Sequence, residues 1–210
     1  MDIFYLKKSE FLPNIDPNSL KKFSDGRIFK SKDKEEEHLL GIFLTKFIAK
    51  YIYDIKNPEI IIKNKKPFFK FAKIFFSISH SKDIVLVAFN NSNIGTDIEY
   101  MEEGKNFKSI MTRFGIKTTN PTAKEFYRFW TEYEAEIKLG NSDIKSLHSE
   151  IVEQNYMLTC VSDNIFTTNY QIKKLNIKQN NIDLEKEFTN PQNIKCDIVA
   201  LVVYLNYIKT

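Results

Sequence analysis

Arginine is nearly missing from this chain, with 3 residues against 28 lysines. A protein that reads nucleic acid normally uses the guanidinium fork for bidentate contacts to bases and phosphates. The pI near 8.8 and net charge of +4 are therefore read as a mild positive field, suited to an acidic partner and not to nucleic acid. Asparagine (19) and isoleucine (27) are heavy alongside lysine, and A/T-rich codons account for all three. Cysteine is scarce: Cys160 and Cys196 fit no zinc spacing and make no disulfide framework, so both are read as small buried hydrophobes. With 6 glycines and 6 prolines, collagen-like and low-complexity chains are excluded. No apolar run approaches the ~18 residues of a membrane span, and MDIFYLKKSE holds no signal-peptide apolar region. A cytoplasmic location without a membrane partner is expected.

Core-forming material is plentiful. Of 210 residues 42% are hydrophobic and 14% aromatic, including 18 phenylalanines, enough for one domain or two closely joined halves. Ile3 to Leu6 reads as a strand, and Leu20 to Phe29 as a basic stretch without clear periodicity. Leu39, Leu40, Phe43, Phe47 and Tyr51 recur at helical spacing and predict a helix over 32–53, with Glu35, Glu36 and Glu37 near its N-terminus, where the helix dipole favours acid. A strand at Ile60–Ile62 and a turn at Asn64–Pro67 precede three strand-like runs, Ile74–Ser79, Asp83–Phe89 and Ile94–Tyr100. The polar residues 90–93 between the last two predict a hairpin. A short helix over 106–114 and a longer one to Leu139 follow, the latter with Pro121 in its first turn and Gly140 as C-cap. Residues 150–210 are mostly strand-like. Asp83–Phe89 is echoed by Asp197–Val203, each after a helix and strands. That repetition predicts an α+β fold of two similar halves, 1–102 and 103–210, about a pseudo-twofold axis.

Four short segments carry chemistry. In Ile94–Gly95–Thr96–Asp97–Ile98–Glu99, the two carboxylates share one face of a strand and suit a hard cation, and Gly95 allows close approach to the backbone. In Trp130–Thr131–Glu132–Tyr133–Glu134–Ala135–Glu136–Ile137–Lys138, a spacing of four puts Trp130, Glu134 and Lys138 in one helical stripe. Glu134 could be a further metal ligand and Lys138 could neutralise a phosphate. Ser77–Ile78–Ser79–His80–Ser81 offers hydroxyls and an imidazole at a strand end, suited to an anion, without the oxyanion-hole signature of a hydrolase. Lys65–Lys66–Pro67–Phe68–Phe69 is a basic turn beside aromatics. Neither a Walker loop nor a kinase glycine loop is present.

In this order, Lys66–Pro67, Phe76–Ser81, Ile94–Glu99 and Trp130–Lys138 closely resemble the motifs of the Sfp-type 4′-phosphopantetheinyl transferases. The resemblance is good over 29–140 and loose beyond, and Leu39–Leu40–Gly41 resembles the family's first long helix. It implies two pseudo-symmetric α/β halves with the active site in the cleft between them. It implies Mg²⁺-dependent transfer of phosphopantetheine from coenzyme A, the donor substrate, to a serine of an acyl or peptidyl carrier protein, by a chain acting as a monomer. By motif position, Asp97, Glu99 and Glu134 would hold the metal, and Glu134 and Lys138 would be the catalytic pair. Lys138 would face the coenzyme phosphates, Ser79 and His80 its 3′-phosphate, with Lys66 and Lys22 nearby. A stripe of Phe107, Ile110, Met111 and Phe114, with Lys108 and Arg113 among them, is expected to dock the carrier. The chain departs from the family pattern at Glu37, His38, Lys82 and Tyr133. These changes point to an alternative, a non-catalytic relative that binds coenzyme A or a carrier protein.

Overall fold

Strand β1 (Asp2–Lys7) is apolar in both directions: Ile3 and Tyr5 on one face, Phe4 and Leu6 on the other, all four buried. A strand covered on both faces reads as a continuous apolar run. The structure, a computed structural model, describes residues 1–15, 17–166, 171–175 and 206–207. After β1 come the short helices α1 (Lys8–Phe11) and α2 (Pro17–Leu20), each followed by a 3-10 turn, Leu12–Asn14 and Lys21–Phe23. Helix α3 (Lys32–Tyr51) begins where the Ser31 hydroxyl accepts from the Lys34 N–H, satisfying a free donor. Its apolar stripe of Leu40, Phe43, Leu44, Phe47 and Ile48 packs on Phe4, Leu6, Val85, Val87 and Phe89.

Strands β2 (Ile60–Lys63) and β3 (Lys66–Phe69) pair as a small hairpin. Its turn is Asn64–Lys65, both at positive φ, so Lys66 and Pro67, expected in the turn, belong to a strand. Next come β4 (Phe75–Ser81), β5 (Ile84–Asn90) and β6 (Ile94–Tyr100). The hairpin expected at residues 90–93 is not formed. β5 already has β1 and β4 on its two edges, so β6 leaves that sheet and pairs with β8.

Helices α4 (Phe107–Arg113) and α5 (Ala123–Leu139) lead into β7 (Ser146–Val152), β8 (Tyr156–Ser162), β9 (Gln171–Lys174) and β10 (Asn206–Tyr207). Thr122 caps α5 in a capping box with Glu125. Pro121, expected inside the first turn, stands just before that cap, because the Thr122 hydroxyl and Glu125 carboxylate satisfy the free groups there. Gly140 ends the helix at φ 84°, as expected.

The result is mixed α+β: a five-stranded sheet β10-β9-β1-β5-β4, a three-stranded sheet β6-β8-β7 and the β2-β3 pair. α3 covers one face of the larger sheet, and α5 packs on the smaller one through Ala135 and Leu139 against Val161. On the remaining faces, Ile3, Tyr5, Ile84 and Leu86 of one sheet meet Ile94, Ile98, Leu158 and Cys160 of the other in a shared core. Cys160 is fully buried, with its thiol pushed up to about 12 by burial. Cys196 and the echo segment 197–203 lie outside the described residues.

Candidate active site at the seam of two sheets

Strands β4 and β6 are edges of different sheets and run side by side. β6 uses one edge to pair with β8, which leaves the N–H groups of Thr96, Ile98 and Tyr100 on the other. Unpaired buried N–H groups are costly. Ser77, Ser79 and Ser81, alternate residues on one face of β4, accept them at 3.0, 3.2 and 3.0 Å. The two sheets are joined by a ladder of side-chain hydroxyls in place of backbone carbonyls.

The same hydroxyls reach the carboxylates of β6. Ser79 donates to Asp97 Oδ1 at 2.8 Å and Ser81 to Glu99 Oε2 at 2.7 Å. Lys138 of α5 completes the group, its Nζ 2.7 Å from Asp97 Oδ1 and 3.0 Å from Ser79 Oγ. The helix comes this close because residue 95 is glycine: a Cβ there would lie 2.0 Å from Ala135 O and 2.6 Å from Leu139 N. The close approach expected at Gly95 is thus made by the backbone of α5.

Asp97 is 5% exposed, and its Oδ2 has no hydrogen-bond partner among the described residues. A buried carboxylate oxygen left this way calls for a further partner, which water, an ion or a ligand can each provide. Glu99 is held above the usual carboxylate range by its burial, opposed by the Ser81 hydrogen bond and reinforced by the charge of Asp97. Glu134 sits half-buried one turn before Lys138. Among the described residues no three histidine, cysteine, aspartate or glutamate side chains are gathered to hold a metal ion. In this structure Glu134 therefore does not close a set with Asp97 and Glu99, and the ammonium of Lys138 stands against Asp97 instead.

Other expected residues lie apart. His80 points to the opposite face of β4 from Ser79, with Nδ1 3.1 Å from Glu37 Oε2 but not aligned as a hydrogen bond. Glu37 is only 2% exposed and also takes Lys34 at 2.8 Å and Lys8 at 3.0 Å. Burial pushes its carboxyl up, but the bonds from Lys34 and Lys8 and the nearby His80 outweigh it and hold it below the usual range. Burial holds His80 below the usual imidazole range. Lys66 Nζ donates to Asn93 Oδ1, Ile94 O at 2.8 Å and Leu139 O at 3.4 Å, fastening β3 to the C-terminal end of α5. Burial lowers its pKa to about 8. Lys22 is exposed on the 3-10 turn Lys21–Phe23.

Two departures gain a physical reading. Lys82 adopts φ 49° in the β4–β5 turn, the left-handed region that favours glycine. Tyr133 is 36% exposed, its ring centroid 4.9 Å from that of Phe114. The expected docking stripe divides: Phe107 and Met111 are buried against Phe126 and Tyr127, whereas Phe114 is 39% exposed. Helix α4 is short and its i, i+4 pair faces α5, so those two residues are core. Sequence reasoning missed the paired role of Ser77 and Ser81. Their alternation with Ser79, matched to the alternating N–H groups of an edge strand, was the available signal.

No family model matches the chain. The chain is 28% identical over 134 residues to the 4′-phosphopantetheinyl transferase gsp of Aneurinibacillus migulanus, a match spanning 59% of this chain and 56% of that protein. Little more than half of each protein is covered, and a relative carrying that name stands beside a site that gathers Ser79, Asp97 and Lys138.

Proposed function

We propose that this chain transfers the 4′-phosphopantetheine group of coenzyme A to a serine of an apo acyl or peptidyl carrier protein, releasing 3′,5′-adenosine bisphosphate. The observation that carries this reading is the junction of β4, β6 and α5. A buried carboxylate with one unbonded oxygen is held beside a lysine, and the similarity to a protein named for this activity supports it. The two-half organisation, 1–102 and 103–210, belongs to the same proposal, with β6 of the first half hydrogen-bonded to β8 of the second.

Asp97 and Glu99 would hold Mg²⁺, and Glu134, which is not gathered with them in this structure, would be brought to the ion from α5. The donors are all hard oxygens, and the unbonded Asp97 Oδ2 fits such an ion. Bound there, Mg²⁺ would supply charge neutralisation at the pyrophosphate. Lys138 would turn its ammonium from Asp97 toward the phosphates, and His80, on leaving Glu37, and Lys22 would serve the nucleotide end. Lys66 anchors the wall. The carrier serine oxygen forms a bond to the β-phosphorus as the bond to the leaving bisphosphate breaks. The serine proton passes to a Glu134 carboxylate oxygen. Positioning and charge neutralisation carry most of such a reaction.

The test is incubation of the protein with coenzyme A, Mg²⁺ and an apo carrier protein, followed by intact mass. A gain of one phosphopantetheine on the carrier is expected, and an unchanged carrier mass would overturn the reading. One observation favours a second reading, coenzyme or carrier binding without transfer: Glu37 already engages His80 and two lysines. Heat of coenzyme binding by calorimetry without any mass gain would select it.

A further inference from the structure

Among the three seam serines, Ser77 and Ser81 differ in one respect. Ser77 Oγ takes the Thr96 N–H and, among the described residues, has no bond to a carboxylate, whereas Ser81 Oγ takes the Tyr100 N–H and also donates to Glu99 Oε2 at 2.7 Å. Ser79 has no spare capacity. Its one proton goes to Asp97, and its lone pairs take Ile98 N–H and Lys138. Glu99 is half-buried on the face it shares with Asp97, whose Oδ2 is buried and unpartnered.

We propose that Ser81 is a positioning residue that fixes the Glu99 carboxylate toward a divalent cation shared with Asp97. The inference rests on the proposed metal-dependent reading. A glutamate side chain has three rotatable bonds, and a hydrogen bond to one carboxylate oxygen removes much of that freedom before the ion arrives. Groups that orient metal ligands in this way typically change affinity by ~10–100-fold when removed.

Ser77 supplies the control, because Ser77→Ala removes a seam bond of the same kind and touches no carboxylate. Binding of Mn²⁺ is read by its electron paramagnetic resonance signal, on the full chain with coenzyme A present, alongside melting temperature. Both Ser77→Ala and Ser81→Ala are expected to lower the melting temperature to a similar extent. Only Ser81→Ala is expected to weaken Mn²⁺ binding, about tenfold, and Ser81→Thr, which keeps the hydroxyl, is expected to restore it. Equal Mn²⁺ affinity in the two alanine variants would overturn the positioning role while leaving the metal site standing. Absence of Mn²⁺ binding by the wild-type protein would overturn the metal site, and the inference with it. If Ser81→Ala does not fold, Ser81→Cys, which keeps the side-chain size with a poorer donor, is measured against Ser77→Cys, and the same comparison decides.

Discussion

Asp97 is the residue on which the proposed chemistry turns, because among the described residues it alone combines near-complete burial, a lysine partner and an unbonded oxygen. Asp97→Ala and Glu134→Ala are each expected to abolish transfer, since each removes a carboxylate from a cation that binds oxygen. Such loss of stabilisation for developing charge is worth ~3 kcal/mol or more. Lys138→Ala is expected to weaken transfer less, as one of several cations near the phosphates. Turnover of apo carrier across a Mg²⁺ titration, with melting temperature as control, checks all three. Glu37 makes a separate prediction about stability. Its carboxyl is held below the ordinary value in the folded protein, so the folded state binds fewer protons there than the unfolded chain does. That contribution is present above the unfolded value of ~4.3 and is lost as pH falls through the folded one. Glu37→Gln is expected to cost about 2 kcal/mol near neutral pH and to flatten this part of the acid-unfolding profile. Denaturant unfolding at several pH values measures it, and parallel profiles for the two proteins would count against the account.

At the scale of elements, the placing of α5 over β6 depends on Gly95. Gly95→Ala would put a methyl group into the backbone of Ala135 and Leu139, and neither helix nor strand can yield without moving the other. A loss of about 3 kcal/mol is expected, read as a lowered denaturation midpoint, together with loss of the Lys138–Asp97 contact. Most elements were legible in the sequence because their signals are local. The stripe of α3, the apolar runs of the strands and the Gly140 end of α5 all follow from neighbours within a few positions, whereas the start of α5 was read too early, at Pro121 instead of after the Thr122 cap. The crossing at residues 90–93 was not, since two adjacent strands joined by a polar turn are also what a hairpin looks like. Whether β5 has a free edge depends on β1, some 80 residues away in sequence. For the same reason Asp97, Ser79 and Lys138 were legible as candidates, whereas their mutual bonds, and the turning of His80 toward Glu37, depend on how two sheets and two helices meet.

Across the whole molecule, Phe114, Tyr133 and Ile137 leave an exposed apolar strip on α5 and the end of α4, with Ile137 56% exposed. Arg113 and Lys117, both exposed, stand nearby in the chain. An apolar strip with basic neighbours suits an acidic helical carrier. Ile137→Glu is expected to raise the carrier's KM severalfold while leaving the melting temperature and the coenzyme KM unchanged. Steady-state kinetics with each substrate varied in turn checks this, and an unchanged carrier KM would place the docking surface elsewhere.

A ladder of backbone carbonyls accepts almost any sequence, since every residue carries the same main chain. The β4–β6 boundary has no such indifference, because its acceptors are Oγ atoms that only serine and threonine possess. In a ladder of carbonyls, register is held by which side chains must face the core. Here a shift of one residue would present Phe76, Ile78 and His80 to the amides of β6. Alignment of the two sheets is therefore encoded letter by letter at positions 77, 79 and 81. The stretch most constrained by architecture is the stretch that also aims the carboxylates, so selection on one constrains the other.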